Sequence, residues 1–199
     1  MSAEALAPVV MLVTDVFGHT PAVDAMLRTL NVQAVIVSPF DEAGFHFDTE
    51  PDAYQSFVVN GGVAAYARKV RDIQQRYQSS LRYIIAFSAG ASAVWMASAH
   101  TEFAGIQQAV LFYGSRIRDA RNVRPVCPTR LVFAEQEVAF KPAELVADLY
   151  KRGHQAELIR GTSHGFMNVY SAGSCVKTQD RFLQELHQLI HQPALDDAA

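Results

Sequence analysis

The sequence predicts an α/β fold: a mainly parallel sheet of about six strands with helices on both faces, in a single domain spanning residues 1–199. Three observations lead there. Short apolar runs, the length of strands rather than helices, recur along the chain. Between most successive pairs of them lies a segment with helical apolar spacing, the pattern of a parallel sheet joined by crossover helices. The 199 residues are 50% hydrophobic and 19% charged, enough for one substantial core and unlike a disordered chain.

The elements follow in order. PVVMLVT (8–14) reads as a strand buried on both faces. Thr20 and Pro21 open a helix, Thr as N-cap and Pro at the first helical position, with Val23, Met26, Leu27 and Leu30 on one side. VQAVIV (32–37) is the second strand. Residues 39–60 read as a long loop, rich in acids and aromatics around His46, that partly covers a pocket. Over 61–77, Val63, Tyr66, Val70, Ile73 and Tyr77 form an apolar stripe whose role is core packing. YIIAF (83–87) is the third strand, followed at once by Ser88 and a helix carrying Trp95. AVLFY (109–113) is the fourth and leads into a second long loop, 114–128. RLVFA (130–134) is the fifth. Residues 142–152 form a helix with Leu145, Val146 and Leu149, stopped by Gly153. QAELIR (155–160) alternates and is more polar, as suits a strand near a sheet edge. The last helix, 178–192, carries Phe182, Leu183, Leu186, Leu189 and Ile190. The core thus covers roughly 8–190, and the tail 193–199 is expected to fray.

Charge and composition narrow the partners. A net charge of −3 gives no reason to expect nucleic acid or an anionic membrane. Cys127 and Cys175 are far apart and read as free thiols. The acids around His46 match no ligand spacing, so neither a metal nor a cofactor is expected. The first residues lack the basic start and apolar core of a secretory signal, and no apolar run approaches a membrane span; the expectation is a cytoplasmic protein.

In parallel sheets of this kind, ligands bind beyond the carboxyl ends of the strands. The residues there are Asp15-Val16-Phe17-Gly18-His19, Ser88-Ala89-Gly90, Tyr113-Gly114-Ser115-Arg116, Glu135-Gln136-Glu137 and Thr162-Ser163-His164-Gly165. Ser88 has two readings: the N-cap of the next helix, or a nucleophile on a sharp turn. A serine becomes nucleophilic when a base takes its proton and an acid orients that base. Ser88, Glu137 and His164 occur in the order serine, acid, histidine, with Glu135 a rival for the acid. Ala86-Phe87-Ser88-Ala89-Gly90 follows the elbow pattern G-x-S-x-G with alanine at the first glycine.

On these residues the chain resembles the dienelactone hydrolase family of the α/β-hydrolase superfamily. The matching pieces are TDVFGHTP (14–21), AFSAGAS around Ser88, LFYG (111–114) and SHGFMN (163–168), and the similarity runs over roughly 8–190. The resemblance implies a minimal α/β-hydrolase without a separate lid domain, beginning at the equivalent of the third superfamily strand. It implies Ser88 as nucleophile, His164 as general base and Glu137 as acid. It implies an oxyanion hole from the N–H groups of Val16 and Ala89. Asp15 falls where the family often has a carboxylate near the nucleophile. Phe17, His19, Tyr113, Arg116 and Met167 are the candidate pocket and substrate residues. Two departures stand out: the family uses cysteine where this chain has Ser88, and aspartate where it has Glu137. The implied activity is hydrolysis of a small-molecule ester, thioester or lactone through an acyl-enzyme. A non-catalytic binding protein on the same fold, or an acyltransferase or thioesterase with the same triad, remain alternatives.

Overall fold

The computed structural model describes residues 7–41, 47 and 49–191. Six strands form one sheet: β1 (Val10–Val13), β2 (Ala34–Val37), β3 (Tyr83–Phe87), β4 (Gln108–Phe112), β5 (Thr129–Gln136) and β6 (Gln155–Ser163). Their order is β2-β1-β3-β4-β5-β6, and every pairing is parallel. All six predicted strands are present, and the polar one, β6, is an edge. Alternate residues of each central strand enter opposite layers. Met11, Val13, Ile84, Ala86, Ala109 and Leu111 face one core; Val10, Leu12, Ile85, Phe87, Val110 and Phe112 face the other. The first core is closed by α2 (Glu50–Val59), α3 (Gly62–Arg76), α4 (Ala89–Ala97) and α5 (Pro142–Lys151). The second is closed by α1 (Pro21–Leu30) and α6 (Val176–His191).

Residues 39–60 correct the sequence reading, because Glu50–Val59 is a helix and not loop. Its start is built from Thr49, whose side chain accepts from the Asp52 N–H, and from Pro51 in the first turn. Only Ala53 and Phe57 are buried on it, so there is little apolar periodicity to read. His46 and the expected fraying tail lie outside the described residues. Smaller differences concern ends. Thr20 occupies the N-cap position of α1 but makes no side-chain cap bond. A short 3-10 helix, Ser115–Asp119, interrupts the 114–128 loop. Among the described residues no helix is long and apolar enough to cross a membrane.

Two features position the site. The chain leaves β1 for β2 on one side and returns to β3 on the other. That reversal opens a crevice at the carboxyl ends of β1 and β3. Beside it, α4 is buried on nearly every side and is built of small residues up to Ala93. At Gly90 the helix backbone meets the end of β1: a Cβ there would lie 2.7 Å from Val13 O and still nearer Thr14 O. Only glycine permits that approach. On the outer side, the buried Tyr66 of α3 does more than fill the core. Its Oη lies 2.7 Å from Val37 O and 3.0 Å from Thr14 O, bridging the ends of β2 and β1. Gly90→Ala is therefore expected to force α4 off β1 and lower stability by about 1–3 kcal/mol, read as a lower urea midpoint with an unchanged m-value.

Candidate functional site

The two readings of Ser88 are separated by its geometry. Its backbone sits at φ 48 and ψ −110, a strained conformation for a residue with a side chain. Its side chain makes no cap hydrogen bond to α4. The Oγ instead lies 2.9 Å from His164 Nε2. The turn is held from both sides, by the Ser88 N–H to Phe112 O at 2.9 Å and by Ser92 Oγ to Ser88 O at 3.0 Å.

His164 and Glu137 meet because β5 and β6 stay paired to their ends. A shift after Ala134 brings Gln136 opposite Ser163. The next residue on each strand is Glu137 and His164, and the His164 N–H donates to Gln136 O. Glu137 Oε1 lies 2.7 Å from His164 Nδ1, with its side chain only 6% exposed. An ionised carboxylate accepts, so in the neutral ring Nδ1 carries the proton and Nε2 is left to accept from the Ser88 hydroxyl. Glu135, the rival acid, points elsewhere and accepts the Gly161 N–H at 2.8 Å.

The electrostatics around the imidazole favour its charged form. Burial alone would push the His164 pKa down. The hydrogen bond and charge of Glu137, with smaller contributions from Glu50 and Asp15, outweigh it and hold the value above the ordinary 6.5. Asp15 is pushed the other way from its preferred charge. Its burial raises the carboxyl pKa, against the lowering effect of its partners Asn168 and Phe17. Asp15 Oδ1 accepts the Phe17 N–H at 3.0 Å, and Oδ2 accepts from Asn168 Nδ2 at 2.5 Å. One carboxylate thus ties the loop after β1 to the loop after β6. The N–H groups of Val16 and Ala89 donate no hydrogen bond among the described residues.

The remaining candidates are placed as follows. Phe17 is buried, its ring 6.3 Å from that of Tyr170. His19 Nε2 lies 2.7 Å from Asp24 Oδ1. Tyr113, at φ 40, packs edge-on to His164 with ring centroids 5.1 Å apart. Arg116 is half-exposed and pairs with Asp119 at 3.1 Å. Met167 is buried and lines a cavity of about 400 Å³ between α1, α6 and the loop after β6. Two contributors were not singled out from sequence. Asn168 lies inside the quoted SHGFMN piece without an assigned role. Glu50 acts electrostatically on His164, Asp15 and Tyr113 from the start of α2. The Thr49-x-x-Asp52 spacing was the available signal for that helix start.

No family model matches the chain. An uncharacterized Bacillus subtilis protein, YczH, is 26% identical over 167 residues, covering 81% of each chain. A solved structure from Klebsiella pneumoniae, assigned as a dienelactone hydrolase, overlays with a TM-score of 0.69 at 15% identity, over 96% of this chain and 90% of its own. MGS-M2, an α/β-hydrolase from a deep-sea metagenome, overlays on 100% of this chain and 95% of its own, with a TM-score of 0.62 at 10% identity. The chain has the α/β-hydrolase fold. The resemblance to the dienelactone hydrolases is thereby borne out as a likeness of fold.

In this α/β-hydrolase fold, the His164–Glu137 pair predicts a titration with a definite sign. The His164 imidazole, followed by NMR, is expected to titrate above 6.5 in the native chain. In Glu137→Gln the hydrogen bond and charge that raise it are lost while burial remains, so the midpoint is expected to drop. A midpoint that does not move would show that Glu137 does not set the imidazole's charge.

Proposed function

We propose that the protein is a serine hydrolase acting on a carboxylic ester, thioester or lactone of a small molecule. The observation that carries this reading is Ser88 Oγ, strained out of helix capping and set 2.9 Å from His164 Nε2, with Glu137 on the opposite ring nitrogen. Ser88 Oγ attacks the acyl carbonyl while its proton passes to His164 Nε2. The carbonyl becomes an oxyanion, held by the otherwise unused N–H groups of Val16 and Ala89, the latter at the positive end of α4. The intermediate collapses to an acyl-serine, and His164 returns the proton to the departing alcohol or thiol. A water, deprotonated by the same nitrogen, then releases the acid and regenerates Ser88. Glu137 stays ionised throughout, fixing the tautomer and stabilising the imidazolium.

A fluorophosphonate probe tests the reading directly. Intact mass and peptide mapping are expected to show one adduct on Ser88, none in Ser88→Ala, and slower labelling in His164→Ala. No adduct on folded wild-type protein would sink the hydrolase reading. On short p-nitrophenyl esters, Ser88→Ala is expected to lose activity by at least about 10⁴-fold, and Glu137→Gln by roughly 10⁴-fold.

The pH profile has a fixed sign. Only neutral His164 accepts the serine proton, so kcat/KM is expected to rise with pH. Its half-maximal point should lie above 6.5, because Glu137 raises the imidazole pKa.

A further inference from the structure

We propose that the cavity between α1, α6 and the loop after β6 is a second ligand site. It takes a small, uncharged, mostly apolar group that offers one hydrogen-bond acceptor to Tyr113 Oη. At about 400 Å³ it has the size of a small-molecule pocket. Val23, Met26, Phe87, Met167 and Leu183 give it apolar walls. Val169 and Tyr170 also line it while standing 56% and 47% exposed, so it opens to solvent between them and α1.

Charge excludes anions from this space. Among the described residues no lysine or arginine lines it and a single carboxylate does, Asp15, whose oxygens are both engaged, by the Phe17 N–H and by Asn168. An anionic group would be desolvated beside a carboxylate with no compensating cation.

The hydroxyl of Tyr113 supplies the polar contact. Tyr113 is fully buried and lines the cavity, and its Oη has no hydrogen-bond partner among the described residues. The Met167 backbone lies near it without the geometry of a hydrogen bond, and Asp15, Glu50 and Glu137 act on it through their charge. A phenylalanine would fill the same place without burying an unpaired hydroxyl, and Tyr113 sits in a strained backbone conformation as well. The unpaired hydroxyl is explained when it donates to an occupant of the cavity.

The cavity shares walls with the candidate active site but contains neither Ser88 nor His164. Phe87 precedes Ser88, Asp15 precedes Val16, and Tyr113 packs on His164. An occupant therefore touches the supports of the site and not its reacting atoms. Two sources share this chemistry: an apolar arm of the substrate, or a separate neutral metabolite.

The test uses binding rather than turnover, so it stands whether or not Ser88 proves reactive. Acetophenone and ethylbenzene, which differ in a carbonyl, are titrated into Ser88→Ala protein and followed by amide NMR shifts. Acetophenone is expected to move residues 15, 113, 167 and 168 saturably. Tyr113→Phe should weaken acetophenone by about three- to tenfold and leave ethylbenzene unchanged, while its unfolding midpoint stays equal or rises. Ala25→Trp, at an exposed position on the cavity wall, should block both compounds. In wild-type protein, competition between acetophenone and a short ester would mark the occupant as a substrate arm. Binding without competition would mark a separate ligand; both support the site. The proposal is overturned if no saturable shifts appear at these residues, or if Tyr113→Phe affects the two probes alike.

Discussion

The contact of α4 with the end of β1 is the constraint from which the rest of the site follows. At Gly90 the helix lies against the carbonyls of Val13 and Thr14, closer than any side chain would allow. For a helix to begin that close to the sheet, the chain must turn sharply as it leaves β3, and the residue at the turn takes the strain. That residue is Ser88, at φ 48. The same tight turn lifts its hydroxyl away from the helix it would otherwise cap. The small residues that follow Ser88 are thus a packing requirement as much as a signature.

A second layer of the design is electrostatic. His164 is buried, which disfavours its cation, yet Glu137 more than offsets this. Asp15 is buried with weaker compensation, and its carboxyl is held above the ordinary range. Both shifts act on stability in the same direction. Each group binds its proton more tightly in the folded chain than in the unfolded one. The stabilisation each gives to the protonated fold is therefore complete below the group's ordinary pKa and fades as pH rises through the raised value.

The sheet was legible because its strands are buried on both faces and read as continuous apolar runs. Ser88, Glu137 and His164 were legible because each directly follows a strand end, where ligands gather in such sheets. The distinction between Glu135 and Glu137 was not. It depends on the register shift after Ala134, which sequence does not display. Helix α2 was hidden for another reason: with only Ala53 and Phe57 buried, it has almost no apolar stripe, and Glu50 went unnoticed with it. The bond from Asn168 to Asp15 joins residues 153 positions apart, and nothing local announces it.

That long span has a consequence for how the protein comes into being. The serine turn, the loop bearing Val16 and four of the six strands belong to the first two-thirds of the sequence. The imidazole and the amide that clasps Asp15 come from the loop after the last strand, at the sheet's edge. Until that stretch is translated and docked, the nascent chain holds a strained serine with no base beside it and a buried carboxylate with no amide partner. Any reactivity at Ser88 therefore waits on the docking of that loop, in the same step that ties it to the loop after β1.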